Sequence, residues 1–186
     1  MPKRKGTVES PALAEKSAFD LAKRVTIRDV RALSLAAEQH LDLMEAPELI
    51  VNYRYSTTTK RDAEGEAVAV VASFEMTGKT GEDESAATAV SIRLALQLVY
   101  ECPGLKDFTT SAVDEFGRLN GVYNAWPYWR EFVQNAIARM GLPALIVPVF
   151  RLSEAKSKSK ESAGNIARIA QKRKKQQRST EGHSVP

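Results

Sequence analysis

Cysteine is nearly absent from this chain: Cys102 is the only one in 186 residues. That excludes an internal disulfide and any metal site built on cysteine. Next to Pro103 at the end of an apolar run, Cys102 reads as a small buried residue rather than a nucleophile. Histidine is almost as scarce. His40 and His183 lie far apart with no nucleophile motif beside either, and both read as exposed bystanders. A Gly-rich phosphate loop, an HExxH pair and paired metal-ligand spacing are also missing. With no converging reactive groups, neither catalysis nor a cofactor is expected.

Long apolar runs are missing too. No stretch of roughly 18 uncharged apolar residues is present, as a membrane-spanning helix requires. The opening "MPKRKGTVESPALAEKSAFD" is basic but has no apolar core of a secretory signal. A cytoplasmic protein is the simplest expectation.

Charge is unevenly divided. Residues 1–24 carry 6 Lys/Arg against 3 Asp/Glu, and residues 154–186 carry 9 against 3. Residues 25–153 carry 12 against 17. The basic balance therefore belongs to the ends, while the body is acidic, which weakens nucleic-acid binding by the body. "KRKK" at 172–175 offers phosphate neutralisation as a different class of function. The tail has no aromatic residues to stack on bases, so a solvated tail is the plainer reading. The chain divides into a flexible N-terminal arm or short helix (1–24), one folded domain (25–153) and a basic C-terminal tail (154–186), in which "NIARIAQKRKKQQR" is a marginal helix candidate.

Three segments alternate with period two. Leu49, Val51, Tyr53 and Tyr55 share one face of "ELIVNYRYSTTT"; Val68, Val70, Phe74 and Met76 share one face of "AVAVVASFEMTG". "TAVSIRLALQLVYE" sets Val90, Ile92, Leu94, Leu96, Leu98 and Tyr100 on one side. Short charged turns with Gly65 and Gly81 separate them, which predicts an antiparallel meander. Before it, "RVTIRDVRALSL" alternates with a one-residue shift at Val30 and predicts a bulged first strand. "AAEQHLDLMEAP" reads as a loop or short helical turn.

Helices follow. "SAVDEFGRLN" predicts one or two turns capped by Ser111. The best helix starts at Asn124 as N-cap, with Pro127 in its first turn, and stops at Gly141. Trp126, Trp129, Val133, Ala136, Ile137 and Met140 recur at helical spacing along it. "ALIVPVF" then reads as extended, with an edge or bend at Pro148. Strands followed by helices on one side predict an α+β fold: a four-stranded antiparallel sheet with helices packed on one face. Such a sheet has large side chains on both faces, including Ile50, Val71 and Val99 opposite the main apolar face, so a subunit or another protein is expected to cover part of it.

Asn124, Pro127-Tyr128, Arg130-Glu131, Arg139, Gly141, Pro143 and Pro148 resemble the most characteristic segment of the SecB family of protein-export chaperones. The family pattern runs Pro-Tyr-x-Arg-Glu, a helix, Arg-x-Gly-x-Pro-x-Leu, then an apolar string with a proline. The irregular first strand and the long loop after it look similar as well, so the likeness spans about residues 25–153. It implies an ATP-independent holdase, a homotetramer arranged as a dimer of dimers, that wraps unfolded or export-bound clients in apolar surface grooves. The main helix would then lie between dimers through Trp126, Trp129, Val133, Ile137 and Met140. Client contact is expected on the first strand and its following loop, at Val30, Leu33, Leu35, Leu41, Leu43 and Met44. It is also expected on Tyr53 and Tyr55 and, around the loop before the main helix, on Leu105, Phe108 and Phe116. Export members commonly end in a polar or acidic tail that helps engage the translocase motor SecA. The basic ending here, and "LVYECPG" in place of the family's Gly-Ile/Val-Phe, argue against SecA as partner. Some SecB-like proteins instead serve an antitoxin of a toxin–antitoxin system, which is the alternative partner.

Overall fold

The computed structural model describes residues 10–40, 49–81, 86–150 and 167–169. Four long strands dominate it: β1 (Thr26–Gln39), β2 (Leu49–Arg61), β3 (Ala67–Lys79) and β4 (Thr88–Glu101). β2, β3 and β4 pair in sequence order, and β1 crosses to the far side of β4. A short strand β5 (Ala167–Ile169) pairs antiparallel with Leu49–Val51, which completes the order β1-β4-β3-β2-β5.

The alternation read from sequence is the alternation of burial. In β3 every second residue from Val68 to Gly78 is buried and its neighbours are not. Registers Tyr55↔Phe74 and Phe74↔Leu94 place the apolar sets of adjacent strands on one face. β4 is a strand despite its Leu and Ala content, because alternating apolar positions suit a half-covered sheet and not a helix. β1 carries the expected irregularity. Its pairing with β4 shifts between Ile27 and Asp29 and again between Ala32 and Ser34, leaving Arg28 and Leu33 as the extra residues. It also runs further than expected: Ala36–Gln39, read from sequence as loop, are strand paired with Val90–Arg93.

The helices lie on the apolar face. α1 (Pro11–Ala22) occupies most of the segment read as a flexible arm or one short helix, and Ala14, Ala18 and Leu21 are buried along one stripe of it. It packs against α2 (Thr110–Phe116). α1 thus adds Ala18 and Leu21 to the apolar core. α2 is capped by Thr109, not Ser111: the Thr109 hydroxyl accepts from the Ala112 amide at 3.1 Å.

The chain then stays helical through a wide π turn, Gly117–Gly121, into α3 (Val122–Arg139). Asn124 and Pro127 therefore sit inside a helix instead of at its start. The missing amide of Pro127 leaves the Tyr123 carbonyl without its helical donor. Gly141 ends α3 in the left-handed region (φ 69°), with the Leu142 amide donating to the Ile137 carbonyl and the Gly141 amide to that of Ala138, both at 3.2 Å. That is a Schellman stop.

Candidate binding surface

α3 turns Trp129, Val133, Ala136 and Ile137 onto its own sheet, where all four are buried. Trp129 stacks on Phe74 at 5.4 Å between ring centroids and 12° between planes. Trp129, Val133 and Ile137, expected between dimers, are covered within the protomer. A strongly apolar stripe beside an apolar sheet face of the same chain is covered by that face first. Trp126 and Met140 are half-buried against the same core, and Tyr123 and Tyr128 are the large exposed rings of α3.

Beyond Trp129 an aromatic cluster opens toward β2. Trp126 meets Phe74 at 5.8 Å, Tyr55 at 6.3 Å and Phe150 at 5.3 Å, and Tyr55 meets Phe150 edge-on at 5.8 Å. The extended segment 143–150 is fastened beside it by backbone contacts. Trp126 Nε1 donates to the Pro148 carbonyl at 2.8 Å, and Arg130 Nε to that of Val147 at 3.1 Å. Leu145 and Val147 are buried while Ile146 (80% exposed) and Val149 point outward. Of the half-buried rings of this cluster, Tyr55 is one of the expected client contacts, while Trp126 was expected between dimers. Phe150, Ile146 and Val149 were not expected at either place. Their only sequence signal is an apolar string that alternates around Pro148.

The remaining expected contacts separate into groups. Leu33 and Leu35 are exposed on β1 (53% and 58%), and Val30 is half-buried. Strand order puts β1 three spacings from β2, about 14 Å at the usual strand separation, so these leucines and Tyr55 belong to opposite margins of the sheet. Tyr53 is buried, and its hydroxyl has no hydrogen-bond partner among the described residues; burial pushes it up to about 12. Leu105 and Phe116, expected at the client surface, are core residues with no exposed surface. Phe116 meets Tyr100 edge-on at 5.0 Å, and Leu105 opens a 3-10 turn folded under the end of β2. Phe108 is half-buried beneath the Arg24 guanidinium, 5.2 Å from the ring centroid. Leu41, Leu43 and Met44 lie outside the described residues, as does His183.

Arg61 organises the loop before α2. Its Nη2 donates to the carbonyls of Phe108 (2.9 Å) and Thr109 (2.6 Å), and its Nη1 to that of Leu105 (3.4 Å). Asn124 Nδ2 donates to the Tyr100 hydroxyl at 3.1 Å, which fixes α3 over β4. Burial drives the Tyr100 phenol up to about 12, with the Asn124 contact pulling the other way.

The opposite sheet face is of another character. A shallow basin there is floored by Asn52, Ser56, Ser73, Thr77 and Ala95 and rimmed by Arg54, Glu75, Lys79 and Arg93. Arg54 pairs with Glu75, and Arg93 with Glu38 at 3.3 Å, so opposite charges offset each other across the strands. Among the described residues no group of three or more His, Cys, Asp or Glu is placed to hold a metal.

Four antiparallel strands in this order, with helices on one face, define a SecB-like α+β fold. The solved structure of the Mycobacterium tuberculosis Rv1957 SecB-like chaperone, in complex with a ChAD peptide from the Rv1956 HigA1 antitoxin, is similar to this chain at a TM-score of 0.63. The two are 21% identical, and the likeness covers 74% of this chain and 99% of that one. A protein of unknown function from Streptococcus agalactiae is a remote likeness, with a TM-score of 0.33, 10% identity, and 67% and 96% of the two chains covered. No protein-family model matches the chain, and no curated protein matches it in sequence.

Proposed function

We propose that this protein is an ATP-independent holdase chaperone that keeps extended, unfolded clients soluble by covering their apolar side chains. The observation that carries this reading is the partly open aromatic cluster of Tyr55, Trp126 and Phe150, bordered by outward-pointing Ile146 and Val149. Rings of this size give large contact area with little side-chain entropy to lose. Each client anchor buried there is worth on the order of 1–3 kcal/mol. Binding of that kind is passive and needs no nucleotide.

Slowed aggregation of several slow-folding clients at equimolar chaperone, without nucleotide, is the expected result. An Ile146→Asp, Val149→Asp variant should stay folded, since both side chains face outward, yet lose that effect. No suppression by the parent protein would remove the reading. Tight, salt-sensitive nucleic-acid binding with no effect on aggregation would put the basic tail's function in its place.

A homotetramer belongs to the same proposal: β1 presents a long edge strand with Leu33 and Leu35 exposed, a margin that soluble proteins cover or blunt. A dedicated antitoxin client is the second reading. It is favoured by the antitoxin peptide bound to the similar Mycobacterium tuberculosis chaperone. Under it, an antitoxin encoded beside this chain aggregates alone and is rescued by this protein, while general clients are not.

A further inference from the structure

The sheet face away from the helices carries a charge pattern that client binding leaves unused. Strand registers set its outward residues in rows across β2, β3, β4 and β1. One row is Arg54, Glu75, Arg93 and Ala36, with Glu38 one step further along β1 on the same face. The signs alternate from strand to strand, and neighbours pair, Arg54 with Glu75 and Arg93 with Glu38. A second charged row is Lys60, Ala69, Val99 and Asp29. Beside the first runs a row of small residues, Ser56, Ser73, Ala95 and Ser34, which belongs to the shallow basin. Arg54 and Arg93 keep 74% and 52% of their side chains exposed.

We propose that this face docks on the same face of a second copy, about a two-fold axis parallel to the strands and between β3 and β4. That operation keeps each row in place but reverses it, so β3 faces the partner's β4 and β2 faces the partner's β1. A row of alternating sign across an even number of strands then meets opposite charge. Glu75 faces the partner's Arg93, and Lys60 faces the partner's Asp29. Arg54 lies over the partner's Ala36, beside Glu38 of the partner subunit. No like charges stand directly opposite each other in the rows from Asn52 to Lys60. Ala69 meets the partner's Val99, which covers apolar area on this face. A two-fold axis across the strands would instead stack β2 on itself, where Arg54 and Lys60 find only like charge. Arg93 holds Glu38 through Nη2 alone, at 3.3 and 3.4 Å, and a guanidinium has five donors, so a second carboxylate can share it. The small row lets the sheets approach to about 10 Å, a gap that Glu and Arg side chains bridge. Four strands of this length offer about 19 Å by about 43 Å, or about 800 Å², the area per partner of a stable interface. The contact rests on neither the holdase reading nor the β1 margin.

The test uses the full chain carrying Leu33→Asp and Leu35→Asp, which takes the β1 margin out of play. Sedimentation equilibrium should report a dimer. Glu75→Arg or Arg93→Glu, each added alone, should weaken association at least about 10-fold, because like charges then oppose each other twice per dimer. An equimolar mixture of the two reversed chains should recover the dimer, since position 75 of one faces position 93 of the other with opposite sign at both contacts. Pairing within a chain cannot explain that recovery, because mixing leaves it unchanged. Salt gives a second readout without any reversal: raising sodium chloride from about 50 mM to about 500 mM should weaken the dimer several-fold. If a reversed chain fails to fold, the salt titration decides. Equal association with and without a reversal, a mixture no larger than its components, or a dimer indifferent to salt overturns the proposal. A different protein on this face would leave all these chains monomeric, which overturns it as well. Failure of the β1 assembly shows separately, as equal size of the parent and the Leu33→Asp, Leu35→Asp chain.

Discussion

Gly121 lies so close to Val70 that a Cβ on the glycine would come within 2.6 Å of the Val70 Cγ1 atom. Gly117, one turn earlier, meets Thr59 in the same way. These two glycines let the π turn settle directly on β2 and β3, and they set the depth at which α3 packs. A Gly121→Ala change would by helix propensity alone add about 1 kcal/mol of stability. Overpacking against a rigid β-branched neighbour costs about 1–3 kcal/mol, and that effect should win. Denaturant unfolding is expected to show net destabilisation, largely relieved in a Gly121→Ala, Val70→Ala double variant. A stabilised single variant would mean that the helix layer shifts freely.

The two buried tyrosines should behave differently when their hydroxyls are removed. Tyr53→Phe deletes a group without a partner among the described residues, so stability should hold or rise by up to about 1 kcal/mol. Tyr100→Phe strands the Asn124 amide and should cost about 1 kcal/mol. Both phenols are raised from 10.0 to about 12 in the fold. Because the folded state resists ionisation, this contribution is complete below the unfolded value and is lost as pH rises from about 10 through about 12. Unfolding followed up this alkaline limb should be less steep in either Phe variant. An unchanged slope in both would show that other groups govern alkaline loss.

Arg61→Lys keeps the charge but cannot reach three carbonyls with a planar fork. A loss of about 1–3 kcal/mol is expected. Hydrogen exchange should accelerate at the Asp107 and Phe108 amides, which close the turn under β2. Uniform acceleration across β3 and β4 instead would indicate general unfolding, not a loosened loop.

A Leu33→Asp, Leu35→Asp change on β1 should leave the protomer within about 0.5 kcal/mol of the parent, since both side chains are exposed. Light scattering should nonetheless report a smaller species than the parent. If the parent itself runs as a single 20.5 kDa chain, the proposed assembly fails outright.

The chain's local periodicities determined most of its elements. Alternation at Val68–Met76 and Val90–Tyr100 is a property of neighbouring side chains, and burial on one sheet face is its direct consequence. The shift at Val30 likewise announced a bulged strand. Gly141 marked the end of α3, because few other residues take its backbone angle without strain. Which surface each apolar stripe would meet was decided only in three dimensions. The stripe Trp129–Val133–Ile137 looks the same in sequence whether it meets its own sheet or a second subunit, and the fold gives it its own sheet. Leu105 and Phe116 look like loop and surface residues until Arg61 draws that loop under β2 and Phe116 meets Tyr100. Asn124 has the chemistry of a cap, yet a π turn carries the helix past it and its amide finds Tyr100 instead. The union of Tyr55, Phe74, Trp126 and Phe150 joins residues nearly a hundred positions apart. No local pattern encodes that, because contact between distant segments depends on strand order, and strand order is set by the global competition for apolar area.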